Sequence, residues 1–411
     1  MSSPKIFTGN QLMLLKKIKI IFIFVSIVVM ASSFCYAAEE VRDGMVEDFY
    51  PNGAVNAQRT YKQGKQEGLT KTFYESGALM SEGNYVNDAL DGIYKSYYEN
   101  GKPYLEKTFH NDVLEGPAKE FYQSGQLKSL ENYTNDQLNG ECRYYFEDGK
   151  LKFVMNYVQG ILSGPSQEYY PNGNIKSEVN YVNGKWNGLI KEYDQQGRLE
   201  HEWNYLNGIR EGKSKIYYPE GQVKWEADFK NDEIEGISRA YSPAGKEILD
   251  AKFKNGKLNG DVQERYENSV IKSITEYRDD LKNGSMKEFF PDGTISVEKE
   301  YKDGKEIGES KEYYDDGKVW LVRTRLNDGK NGTLKEYYRS GGIRQEWDVK
   351  DGLLDGASKS YYKTGELMSE ESYIKGKREG VFRFYNRDKT ASYEETYKDD
   401  VKVDHKILKG L

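Results

Sequence analysis

The stretch "YYPNGNIKSEVNYVNGKWNG", Tyr169–Gly188, decides the fold. In "YPNG", Tyr170–Gly173, proline stands second and glycine fourth. That order suits a type I turn whose last residue takes positive φ, the three-residue hairpin loop with a bulge. The flanking segments are short and rich in Tyr, Val and Ile, so they read as strands. "NGKWNG", Asn183–Gly188, supplies a second reversal. Helix is excluded because no 3.6-residue apolar stripe survives two glycine turns in 24 residues.

The same hairpin recurs along the chain. From Gly44 a glycine returns every 24 residues as far as Gly380, and Asp404 ends the series, giving fifteen units without an insertion. A fixed period over such a length is the signature of a repeat architecture. Each unit is numbered here from its leading glycine as position 0. Position 5 is aromatic in 14 units, with Arg265 the exception, and position 6 is aromatic in 12. Position 9 is glycine in 13, replaced by Ser269 and Lys389; position 17 is Tyr or Phe in 13, replaced by Arg325 and Val349. Position 20 is always Gly or Asp.

A lone hairpin is not stable in water. Stacked on its neighbours it gains ladder hydrogen bonds and continuous aromatic rows, and stability becomes a sum of neighbour terms. The expected fold is therefore all-β: an elongated single-layer antiparallel β-meander of about 15 hairpin repeats. At about 4.8 Å per strand, fifteen hairpins give an arc of roughly 140 Å. Strict alternation predicts two faces. Odd positions share one: basic 3, aromatic 5, aliphatic 11 and aromatic 17. Even positions share the other: Glu at 4, aromatic 6, Lys at 12 and Glu at 14. The odd face is expected to be the more apolar. Position 5 is expected across from 11, and Glu168, Glu120 and Glu336 are expected to meet Lys176, Lys128 and Arg344.

The N-terminus belongs to another class. Lys16, Lys17 and Lys19 precede the uncharged run "IIFIFVSIVVMASSFCYAA", Ile20–Ala38. A basic segment, an apolar segment and a small-residue end predict a secretory signal peptide over 1–37, with Met13 as a possible start and Ala37 before the cut. The alternative is an uncleaved anchor. Residues 38–43 form a short lead-in, 44–404 the array and 405–411 a tail. The charged "KDDVKVDHK" and the altered last unit, with Asn386 at position 6, suit a cap against edge pairing.

With Gly 41, Tyr 35 and only 37% apolar residues, the composition fits neither a large closed core nor disorder. Residues 1–37 carry four lysines and no acid, so a net charge of −7 leaves −11 on the remainder. Such a balance opposes nucleic acid as partner. Only Cys142 lies beyond the leader, so no intramolecular disulfide is expected. His110, His201 and His405 show no metal-ligand spacing. "GIREGKS", Gly208–Ser214, has three residues between its glycines where a phosphate loop needs four. "NDGKNG", Asn327–Gly332, lacks the alternating oxygen ligands of a calcium loop. The carboxylates at 4 and 14 read as solvated charge ladders. No enzyme, cofactor, metal or small-molecule substrate is expected.

Two surface features stand as candidate sites. Position 3 is basic in 12 units, and Lys191, Lys215, Arg239, Lys287, Lys311 and Lys335 form a candidate basic ladder for anionic lipid or polymer. Pairing with glutamates is the competing reading. Units 5 to 8 gather Phe153, Met155, Tyr193, His201, Trp203, Tyr205, Tyr217 and Trp225, with Trp186 nearby, as a candidate binding patch. The competing reading is that these rings fill the inside of a coiled strip.

The unit "G-x-x-K-x-Y-Y-x-x-G-x-[ILV]-x-x-E-x-x-Y-x-x-G-K-x-x-G" resembles the MORN repeat in its bacterial variant form. It looks most like YwqK-type "antitoxin" MORN-variant proteins over residues 44–404. Family units often carry His or Arg-His before the closing glycine, whereas here Glu67, Asp91, Asn187 and Ile307 stand there. A fainter similarity links "YYFEDGKL", Tyr144–Leu151, to choline- and glucan-binding hairpin repeats of cell-wall proteins. The resemblance implies a non-enzymatic repeat scaffold that binds another protein. A cell-envelope polymer or lipid surface is the alternative partner, and an antitoxin-like neutraliser the third reading. With the leader, the location expected is periplasmic or secreted.

Overall fold

The computed structural model describes residues 43–326, 330–388 and 390–408. The leader 1–37 and nearly all of the lead-in lie outside the described residues. Among those described there is no helix, and 68% of them lie in strands. All strand pairings are antiparallel and follow chain order in one open sheet, from Gly44–Phe49 at one edge to Val401–Ile407 at the other. The last strand runs three residues into the segment that the period leaves as a tail.

Turn chemistry sets the hairpins. At Tyr170–Gly173 the Gly173 N–H donates to the Tyr170 carbonyl (2.9 Å), and Gly173 takes φ +95°. This is the expected type I turn with its bulge. The other reversal, Asn183–Gly184, has φ +50° and +74°, the type I′ pattern of a two-residue hairpin. Position 20 needs the left-handed region, and this explains its restriction to Gly and Asp. Aspartate there has a second role. Asp136 accepts the Leu114 N–H of the preceding unit at 2.8 Å, and Asp88 and Asp112 do the same for Gln66 and Leu90.

Two further rows tie unit to unit. Ten position-6 tyrosines, Tyr170 among them, donate their hydroxyls to the position-5 carbonyl of the next unit at 2.7–2.9 Å. The variable slot before the closing glycine has a recurring chemistry. In ten of the described units its carboxylate or amide oxygen accepts the position-19 N–H of the next unit, as Glu67 does from Asn87 and Asn187 from Asn207. Ile307 supplies no such acceptor.

The two faces differ from strict alternation. In each hairpin the register slips once, as between Glu168↔Ser177 and Tyr169↔Ile175, leaving position 12 as an extra residue in the second strand. Position 5 does lie across from 11, but position 3 pairs with 14 and position 2 with 15. One face therefore carries 2, 4, 13, 15 and 17, and the other 1, 3, 5, 14 and 16. The expected odd–even division is corrected accordingly: aromatic 17 leaves the face of 3 and 5, and Glu at 14 joins it. The three expected ion pairs form nonetheless, Lys176–Glu168 at 2.8 Å, Lys128–Glu120 at 2.6 Å and Arg344–Glu336 at 2.8 Å. The bulge lets the long cations reach across diagonally.

Burial follows the corrected division. The most enclosed side chains sit at position 2, including Cys142, Ser166, Ile190, Ser214, Ser358 and Phe382. Small residues dominate there, flanked by the larger side chains of 13, 15 and 17, so this is called the serine face. Ser269 holds φ +70° where the corresponding turns have glycine. Replacing it by glycine is expected to raise stability by about 0.5–1 kcal/mol, because a left-handed L-residue is strained. Denaturant melting of Ser269→Gly against the parent checks this.

Candidate functional site

The serine face of units 5 to 8 holds most of the aromatic cluster. His201 pairs in register with Glu192 and Ile216, Trp203 with Ile190, Trp225 with Ile216 and Ala240, and Phe153 with Tyr144 and Glu168. Met155 lies across from Cys142 and Tyr205 across from Gly188. The imidazole of His201 stacks on Trp203 with centroids 5.2 Å apart and 18° between planes. Trp186 meets Tyr205 edge-on at 5.0 Å.

Tyr193 and Tyr217 are not part of that cluster. At position 5 they lie on the opposite face, where their hydroxyls donate to Glu178 (2.9 Å) and Glu202 (2.6 Å) of the preceding units. The candidate patch is thus divided between two faces. The bulge reverses the parity of the second strand, a step that the sequence pattern leaves invisible.

The polar edges of the clustered rings are engaged within the sheet. Trp203 Nε1–H donates to Glu192 Oε2 at 3.1 Å, and Trp225 Nε1–H to Ser238 Oγ at 2.9 Å. His201 Nδ1 lies 3.1 Å from the same Glu192 oxygen, off the line of a hydrogen bond. The His201 imidazole and then the Trp203 N–H hold the Glu192 carboxyl below its ordinary value, against the opposing effect of burial. All eight residues of the candidate patch are half-buried. Rings so bonded favour packing over a free recognition surface.

The basic ladder is compensated. Register places Lys191 between Glu178 and Glu202, Lys215 between Glu202 and Glu226, and Arg239 between Glu226 and Asp250. Lys287, Lys311 and Lys335 have Glu298, Glu298 and Glu346 across from them. Arg239 reaches Asp250 at 3.1 Å, Lys287 reaches Glu298 at 3.4 Å, and Lys335 reaches Glu346 at 3.6 Å. Exposed pairs of this kind contribute little stability each, but the row carries almost no net field.

Position-5 tyrosines overlook this row. Desolvation, followed by hydrogen bonding to the neighbouring carboxylate, raises Tyr97, Tyr193 and Tyr361 to about 12. A raised tyrosine favours the protonated, folded form. Its contribution is complete below the ordinary value near 10 and is lost as pH rises through the folded value. Unfolding between pH about 10 and 12 is therefore expected, with tyrosine ionisation and loss of the sheet coinciding. Absorbance at the phenolate band against far-UV circular dichroism tests it, and ionisation that leaves the sheet intact contradicts it.

No group of three or more His, Cys, Asp or Glu side chains among the described residues is arranged to hold a metal. The Cys142 thiol is fully buried, and burial pushes its pKa up. One feature escaped the sequence reading. Position 18 is Lys, Arg or His in eight units but aliphatic in three successive ones, Val158, Val182 and Leu206. The run is visible in the columns once exposure singles it out.

No curated protein matches the chain. Solved structures similar to it include TcdB2-TccC3-Cdc42, at 9% identity and TM-score 0.13 over 87% of this chain and 23% of that one. TcdB2-TccC3 without its hypervariable C-terminal region matches at 12% identity and TM-score 0.14 over 86% and 22%. The chain thus spans under a quarter of the length of those proteins. The family described as MORN repeat variant matches residues 42–63, 66–87, 90–111, 114–135, 138–159, 162–183, 210–231, 282–303, 306–324, 330–351 and 354–375. With more than half of its length matched, repeat upon repeat in the observed register, the chain belongs to the MORN repeat variant family.

Proposed function

We propose that this chain is a non-enzymatic, exported scaffold whose sheet binds another protein. The observation that carries the reading is the saturation of the charged face. Bases and acids alternate in register along it, so a partner meets a long, regular, nearly neutral surface with tyrosine rings beside it. Such a surface suits shape and hydrogen-bond recognition more than electrostatic capture. The leader-like segment 1–37 supports export. An envelope-polymer or anionic-lipid binder is the second reading, favoured only by the uncompensated neighbours of a few bases, such as Ile274 beside Lys287. An antitoxin-like role through the YwqK-type resemblance is the third.

Chemical cross-linking in the exporting compartment, followed by purification of the chain, tests the first reading. A stoichiometric protein partner retained at high salt supports it. Recovery only with anionic liposomes or cell wall, abolished by salt, overturns it in favour of the second. N-terminal mass spectrometry checks export separately, since an intact Lys16–Lys19 segment in a cytoplasmic fraction contradicts it.

A further inference from the structure

Between the turns of the ninth and tenth units, Asn255–Gly256 and Asp279–Asp280, lies a cleft of about 430 Å³ lined by Lys254, Asn255, Lys257, Asn259, Arg278 and Asp279. Lys254 and Lys257 stand directly across from each other in register, and Arg278 follows from the next unit. Like charges placed opposite are unfavourable. The neighbouring Lys252 reaches Asp261 at 3.1 Å, but the charged groups of Lys254, Lys257 and Arg278 make no ion pair or hydrogen bond with any described residue. The acids nearby are engaged or few. Asp280 accepts the Leu258 N–H at 2.8 Å, and Glu235 the Asn255 N–H at 2.7 Å. Glu233 stands across from Lys230 and outside the lining. Asp279 alone opposes the three bases within it.

A break in the inter-unit hydrogen bonds falls at the same place. Asn259 occupies the slot before the closing glycine, yet it takes no bond from the Asp279 N–H. Among the described residues it is the one carboxylate or amide of that row without a side-chain hydrogen bond. The like-charged pair itself recurs at Lys62–Lys65 and Lys302–Lys305, but there the next unit brings Val86 and Leu326 instead of a base. Leu281, across from Arg278, stands between it and Lys302. Three unpaired adjacent bases, an unused amide and an unused backbone N–H therefore meet at this cleft. That donor set suits a tetrahedral oxyanion, whose several oxygens accept charge-assisted bonds from ammonium and guanidinium groups together. A phosphate monoester carries about two negative charges at neutral pH and outweighs the single Asp279. The cleft leaves room for the group that bears the phosphate. We propose that this cleft binds a dianionic phosphate group, held by Lys254, Lys257 and Arg278 with the Asn259 amide as a further donor. The site is independent of the protein-binding reading and goes beyond it.

Inorganic phosphate titrated into the full chain at constant ionic strength, followed by calorimetry and by melting temperature, is the first probe. Saturable binding with a rise in melting temperature is expected. Lys257→Glu copies the Lys230–Glu233 arrangement of the eighth unit. It should weaken phosphate binding at least tenfold without lowering the melting temperature of the phosphate-free protein. Asn259→Asp supplies the acceptor usual in its row and should weaken binding severalfold. Lys305→Glu, in a like-charged pair whose next unit adds no base, should leave binding unchanged. Flotation with phosphatidylcholine vesicles, with and without phosphatidic acid, separates the two sources of the phosphate. Phosphatidate-dependent binding lost in Lys257→Glu supports the site and assigns it to a lipid headgroup. Binding of free phosphate without vesicle binding supports the site and assigns it to a soluble ligand. Neither binding, or equal losses in Lys257→Glu and Lys305→Glu, overturns the proposal.

Discussion

Replacing Trp203 and Trp225 together by alanine is expected to destabilise the middle of the array by several kcal/mol. Each indole is half-buried, so roughly 2–3 kcal/mol apiece is expected, below the 3–5 of a fully buried ring. Two further losses follow. Glu192 Oε2 gives up its bond from the Trp203 N–H, and Ser238 Oγ its bond from Trp225. His201 loses the ring it stacks on. Because each unit touches only its neighbours, unfolding is expected to begin near units 7 and 8 while the distant hairpins persist. Hydrogen exchange should show lost protection over roughly residues 188–240 first. A partner-binding patch would behave otherwise: melting would barely move while binding fell. The engaged N–H groups favour the packing outcome.

The second large effect concerns the glycine that sets the period. Gly188 has φ +89°, and no atom lies within 4 Å of where a Cβ would sit. Gly188→Ala therefore isolates the backbone cost of a left-handed residue, about 1–2 kcal/mol. The position lies in the bulge where one unit passes into the next, so the strain falls on an inter-unit joint. Gly164 shares the conformation at φ +105°, but there a Cβ would come within 3.3 Å of Asn156 Cβ. Gly164→Ala is expected to cost more than Gly188→Ala. Equal losses in denaturant melting would show that the Asn156 contact yields freely, and no loss at Gly188 would remove the account of the 24-residue glycine.

The architecture was legible because turn chemistry is local. Pro-Asn-Gly and Asn-Gly announce their turn types within four residues, and repetition multiplies the signal. The faces were less legible. A single extra residue at position 12 inverts the parity of the second strand, and nothing about Lys176 in isolation says that it is bulged. Strict alternation therefore groups Tyr193 and Tyr217 with Trp203, whereas the sheet separates them. The basic ladder is visible in the columns but its field is not, because its compensating acids at position 14 occupy a position that strict alternation assigns to the other face. The slot before the closing glycine looks variable because its side chains differ; the property most of them share, an oxygen acceptor for the next unit's N–H, emerges only with the neighbour in place. The Val158–Val182–Leu206 run was present in the columns, but exposure was needed to distinguish it from strand interior.

Small-angle scattering at the low-concentration limit tests the central claim, an open sheet extended one hairpin at a time. A globular chain of this length has a radius of gyration of about 22 Å. A strip of fifteen hairpins has an arc of roughly 140 Å, so a radius clearly above the globular value and a long-tailed distance distribution are expected. A radius near 22 Å with a symmetric, single-peaked distribution would contradict the account.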